Sequence, residues 1–94
     1  MTKSLRKNVQ LDNPAEESSS YFSTHDLACA GSLIVCGFEL VSLNRSDPRK
    51  IKFIFRSEDK IRETVKKFWD GNLKVDAQGY FNAIKRLKNQ IYSE

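Results

Sequence analysis

The chain has little from which to build a metal site or a covalent staple: one histidine and two cysteines in 94 residues. Cys29 and Cys36 lie seven apart on a stretch that reads as one helix, which separates their Cα atoms by ~10 Å, beyond the ~7 Å a disulfide can bridge. Both are expected to be free thiols, as suits a cytoplasmic protein. His25 and Cys36 would be ~16 Å apart along the same axis, too far to share one zinc ion. The four glycines, Gly31, Gly37, Gly71 and Gly79, are isolated. With them go the phosphate-cradling GxxxxGK[ST] and GxGxxG loops, and HExxH and EF-hand patterns are also missing, so no metal or cofactor is expected. No apolar run approaches the ~18 residues of a membrane span, and no secretory signal pattern follows the first basic residues.

What is present divides into an arm and a domain. Residues 1–20 have few aliphatic side chains, no period and a terminal serine run, and read as a disordered arm before a single domain at 21–94. The formal charge is +4, and the arm balances three basic against three acidic residues, so the surplus belongs to the domain. Phe38 to Arg56 holds five basic and two acidic residues, and Ala77 to Tyr92 holds Lys85, Arg86 and Lys88 with no acid. Glu58 to Asp70 carries four of each sign.

The strongest pattern is Val75 to Tyr92. Tyr80, Ile84, Leu87 and Ile91 fall at i, i+4, i+7 and i+11, one face of a helix, flanked by Ala83 on one side and by Phe81 and Tyr92 on the other. Asp76 is its expected N-cap. Upstream, Ser23 with Asp26 three residues later resembles a capping box, with Phe22 stapled to Leu27, and predicts a helix running to Cys36 and stopped by Gly37. Its near lack of charge predicts burial on more than one side. Phe38 to Leu43 and Lys50 to Arg56 alternate as the strands of a hairpin across the turn Asn44-Arg45-Ser46-Asp47-Pro48. In this register Val41 and Leu43 share a face, as do Ile51, Phe53 and Phe55, with Ile54 opposite the latter three. Ser57 is the expected cap of a helix with Ile61, Val65 and Phe68 inside, a Glu63/Lys67 pair outside, and Gly71 at its end. Asn72 to Val75 is a candidate third strand. The expected class is α+β, order α-β-β-α-(β)-α, with the hairpin packed on helices.

Three constellations bear on function. His25, Cys29, Ser32 and Cys36 share a helical face, but neither an oxyanion motif nor a residue to orient the imidazole accompanies them, and a free cysteine commonly serves as a small buried hydrophobe. No catalytic residue is assigned and an enzyme is not expected. Arg49, Lys50, Lys52, Lys85 and Arg86 form the candidate nucleic-acid-binding set, able to follow phosphates of DNA or RNA, although lysines on a strand also keep edges from pairing with strangers. Trp69 reads as a core flank at the border of its helix's apolar stripe. Val41, Leu43 and Ile54, on the second face of a small sheet, are the candidate interface for a protein partner or a homodimer.

Phe22-Ser23-Thr24 with Asp26-Leu27, Gly37-Phe38, Phe53-Ile54-Phe55, Phe68-Trp69-Asp70-Gly71 and Tyr80-Phe81-Asn82-Ala83-Ile84-Lys85-Arg86-Leu87-Lys88 with Ile91-Tyr92 resemble a family of small bacterial and phage domains of unknown function. The likeness spans Tyr21 to Tyr92. It implies a common fold, supplies no catalytic residue, and suits a small regulatory or counter-defence factor. The leading expectation is a non-enzymatic module that binds protein, and the alternative is one that binds nucleic acid. Deleting residues 1–20 is expected to leave the melting temperature nearly unchanged, and a large drop in a thermal melt would show that the arm packs.

Overall fold

Lys52–Arg56 alternates polar and aromatic side chains and occupies the centre of a three-stranded antiparallel sheet. The computed structural model describes residues 20–93. Their elements are β1 (Tyr21–Thr24), α1 (Leu27–Val35), β2 (Leu40–Asn44), β3 (Lys52–Arg56), α2 (Ile61–Trp69) and α3 (Ala77–Tyr92), with the strands ordered β1-β3-β2. This is the expected α+β class. Phe53 and Phe55 of β3 are buried with Cys29, Ala30 and Leu33 of α1, Ile61 of α2 and Leu87 of α3, so the three helices share one face of the sheet. Among the described residues no helix is long and apolar enough to cross a membrane. The expected arm lies outside the described residues except for Ser20, whose carbonyl accepts from the Ser57 amide at 2.9 Å.

The third strand comes from the other end of the chain than expected. Asn72 to Val75 is irregular, whereas Tyr21–Thr24, expected to lead into the first helix, pairs along β3 with Phe22 opposite Phe55 and Thr24 opposite Phe53. Tyr, Phe and Thr suit a pleated, half-buried surface, and that preference outweighs the capping pattern. The helix therefore starts later. Asp26, not Ser23, is its N-cap, accepting from the Cys29 amide at 2.7 Å, while the Thr24 hydroxyl accepts from the Asp26 amide at 3.1 Å.

β2 departs from simple alternation, and this corrects one interface residue. Leu40 lies opposite Phe55 and Leu43 opposite Phe53, with a register shift between Leu40 and Ser42. One extra residue in β2 at Val41 resets the parity, as a bulge must. Leu43 therefore joins Leu40 on the core side instead of sharing the open face with Ile54. Across the hairpin, Arg56 Nε donates to Glu39 Oε1 at 3.1 Å. In the loop the Asn44 carboxamide oxygen accepts from the Ser46 amide (2.9 Å) and hydroxyl (2.6 Å), and Asp47 Oδ1 accepts from the Arg49 amide at 3.0 Å, the side-chain turns anticipated there. Arg45 donates to the carbonyls of Gln90 and Ile91, so the loop closes the last turn of α3, a role the sequence pattern does not mark.

Gly37 (φ 99°) and Gly71 (φ 78°) terminate α1 and α2 as expected. Each end carries the paired hydrogen bonds of a left-handed cap: Phe38 N to Leu33 O and Gly37 N to Ile34 O, then Asn72 N to Lys67 O and Gly71 N to Phe68 O. Ser57 does not cap α2; its amide joins the sheet, and the helix begins after Lys60 without a side-chain cap. The i,i+4 ion pair that forms on α2 is Lys66 with Asp70 at 2.8 Å, not Glu63 with Lys67. Asp76 caps α3 as expected, accepting from Gly79 N at 2.7 Å.

α1 is the central helix, packed against α3, α2 and β1. Its middle, Cys29 to Leu33, is buried within one chain, while Leu27, Ala28, Ile34 and Val35 are half-buried. The closest approach is at Gly31, where an added Cβ would lie 2.6 Å from Ile84 Cδ1 and 3.4 Å from Tyr80 Cε1. Gly79 mirrors it, with Val35 Cγ2 2.9 Å from where its Cβ would be. Gly31→Ala is expected to destabilise by ~1–2 kcal/mol, overpacking outweighing the helix-propensity gain of ~0.5–1 kcal/mol. Ile84→Val removes the clashing methyl, so in denaturant melts the double variant should be more stable than the two single losses added together, a coupling of ~0.5 kcal/mol or more.

Candidate functional site

The fold disperses the thiol constellation. His25 lies before α1, exposed, with Nδ1 donating to the Ile51 carbonyl at 3.2 Å, while Cys29 and Ser32 are buried and Cys36 is exposed beyond the helix. Burial pushes the Cys29 thiol up to about 11; the Thr24 hydrogen bond pulls it back in part, and the Asp26 charge adds to the rise. Burial also raises Cys36. Cys29, buried and so shifted, holds almost no nucleophilic thiolate near neutrality. Among the described residues no three His, Cys, Asp or Glu side chains are grouped to hold a metal ion.

The five candidate phosphate-binding cations are not gathered onto one surface. Lys50 and Lys52 line a polar depression of about 330 Å³ with His25, Asn44, Ser46 and Asp47. Lys52 alternates with Phe53 and so points away from the helices. Arg86 lines a second depression, about 310 Å³, beside Glu39, Leu40 and Gln90 on the helix side. Lys85 places its ammonium 5.4 Å from the centre of the Phe81 ring on the outer surface of α3. Arg49 is exposed in the loop. Of the three interface candidates, Val41 is exposed on the bulge, Ile54 is half-buried on the open sheet face, and Leu43 packs against the core.

A different surface brings apolar groups together. Between the start of α1 and the outer flank of α3 lies a depression of about 430 Å³, floored by Leu27, Ala28, Tyr80 and Ile84 and bounded by Phe81, Lys88 and Asp26. Phe81, Ile84 and Lys88 recur at i, i+3 and i+7, so one side of α3 forms a wall. The opposite wall starts where Asp26 caps α1, and its carboxylate is engaged there by the Cys29 amide. Phe81 is 60% exposed, Tyr92 80% and Trp69 61%. Trp69 is thus no core flank; it meets Phe68 edge-on at 4.8 Å and is mostly exposed. Phe81 and Tyr92 lie roughly 120–140° around α3 from Leu87, an angle that the other described residues leave mostly uncovered. The one sequence signal for the groove was the spacing of Phe81 and Lys85, an aromatic and a cation at i,i+4 on a helix without acids.

The chain matches, over residues 19–93, the family described as Domain of unknown function (DUF5659), and it belongs to that family. No curated protein and no solved structure matches it.

The thiols give a direct test. Iodoacetamide at neutral pH is expected to modify Cys36 and spare Cys29 until the chain unfolds; rapid native labelling of Cys29 would restore the nucleophile hypothesis. The folded state holds the Cys29 proton to about pH 11, whereas the unfolded thiol releases it near its ordinary value of 9.0. The stability this contributes is complete below pH ~9 and falls as pH rises from ~9 to ~11. A Cys29→Ala chain, though less stable overall, should lose less stability across that window in paired melts.

Proposed function

We propose that this member of a family without an assigned activity is a non-enzymatic binding module that works through contacts with another protein, docked at the groove between α1 and α3. The observation that carries the proposal is Phe81, a phenylalanine 60% exposed beside a depression floored by apolar side chains. Holding a large aromatic 60% exposed at the mouth of an apolar cleft forgoes burial worth roughly 1–2 kcal/mol, which a docking partner would recover. The resemblance to bacterial and phage domains supports a cytoplasmic regulatory or accessory factor of phage or mobile-element type. A homodimer through the open sheet face is less well supported, since Leu43 faces the core and, of the three candidates, that leaves Val41 and Ile54. DNA or RNA binding is the other alternative, weakened because Lys52 points to one side of the sheet and Lys85 and Arg86 belong to the helix layer on the other.

Phe81→Ala should leave stability within ~0.5 kcal/mol of wild type, because the ring is mostly in water. Partner affinity should fall by ~10-fold or more, with weak dependence on salt. Calorimetric titration of a purified partner, together with a melt of the variant, reads both. Oligonucleotide binding at low salt that survives Phe81→Ala but vanishes when Arg49, Lys50, Lys52, Lys85 and Arg86 become Gln would overturn the proposal in favour of nucleic acid.

A further inference from the structure

The chemistry of the groove restricts what can occupy it, and the inference below rests on the docking function just proposed. The α3 wall is helix interior, its backbone groups paired within α3, and α1 contributes only its cap and first two residues, Asp26, Leu27 and Ala28, too few to offer an extended peptide a ladder. Among the described residues no strand edge borders the groove, so an extended peptide laid there would find no ladder for its own amides and carbonyls. A segment that satisfies its own backbone does not need one, and a helix is that segment. From Tyr80 to Lys88 the α3 wall is about 12 Å long, two helical turns, which matches apolar anchors at i, i+3 or i+4, and i+7 on a partner helix.

Charge fixes the rest of the partner. α3 has Lys85, Arg86 and Lys88 and no acidic residue over its whole length. Lys88 lines the groove, and Lys85 sits against the Phe81 ring at its rim. The groove's one carboxylate, Asp26, lies at the α1 end, held at 2.7 Å on the Cys29 amide it caps, so the two ends differ in sign and the α3 rim is the cationic one. We infer that the groove between α1 and α3 receives an acidic amphipathic helix from a partner protein, its apolar anchors against Leu27, Ile84 and Phe81 and its carboxylates facing Lys85 and Lys88.

A displayed library of helical peptides, with apolar anchors at i, i+4 and i+7 and every other position randomised, tests this on the full chain. Selection on wild type with counter-selection on Phe81→Ala isolates peptides that use the groove. They are expected to be enriched in Asp and Glu and to bind the Lys85→Glu/Lys88→Glu variant ~10-fold or more weakly, while versions with those acids changed to Lys regain affinity for that variant. A melt of the variant matching wild type excludes misfolding, both lysines being exposed. Groove-dependent peptides with no acidic bias, or with a basic one, would overturn the acidic-helix inference and leave groove docking standing. A selection yielding only binders indifferent to Phe81→Ala, or none at all, would overturn both.

Discussion

The approach of α1 to α3 at Gly31 is the contact on which the other features depend. Without a side chain there, Ile84 and Tyr80 reach the α1 backbone, and the two helices close over the buried Cys29, Ala30 and Leu33. That closeness has a geometric consequence: α3 is drawn in along its Tyr80, Ile84, Leu87 and Ile91 stripe, so its neighbouring face, with Phe81 and Lys85, is turned outward. The floor of the groove is made of the same side chains that form the crossing. Core packing and the candidate site are therefore two sides of one helix pair, and a change at Ile84 would be felt in both.

The sheet is arranged so that it contributes to the core without becoming a second apolar surface. β3 alone is flanked on both edges, and its Phe53 and Phe55 fill the space under α1, α2 and α3. On its other face Ile54 is opposed by Ser23 and Ser42, small polar neighbours that leave little apolar area to offer. The bulge at Val41 brings both leucines of β2 inward, which spends most of that strand's hydrophobicity on the core. Apart from Val41 on the bulge, the large apolar side chains left in water are on the helices, where Phe81, Trp69 and Tyr92 are all more than half exposed.

Several elements were legible because their signals are local. The α3 stripe, its Asp76 cap, the glycine stops at Gly37 and Gly71, and the alternation of β3 each depend on residues within a turn or two of one another, and each appears as the sequence predicts. Even the close-packing role of Gly31 and Gly79 could be anticipated from their place in helices that must touch. The start of α1 was less legible, since Ser23 and Asp26 are both good capping residues and only pairing with β3 assigns the first to a strand.

The sequence by itself determined the α+β class, the absence of a disulfide between Cys29 and Cys36, and which residues of α3 lie inside. These follow from chain geometry and from a period fixed by the backbone. Tertiary structure alone decided three things: that Tyr21–Thr24 completes the sheet, that Leu43 faces the core, and that Phe81 borders a groove instead of being covered. The first is a contact across about thirty residues, the second follows from one inserted residue that reverses parity, and the third depends on how much of a helix's circumference its neighbours reach. Strand partners, register and coverage are properties of pairs of elements, and no single stretch of the chain contains them.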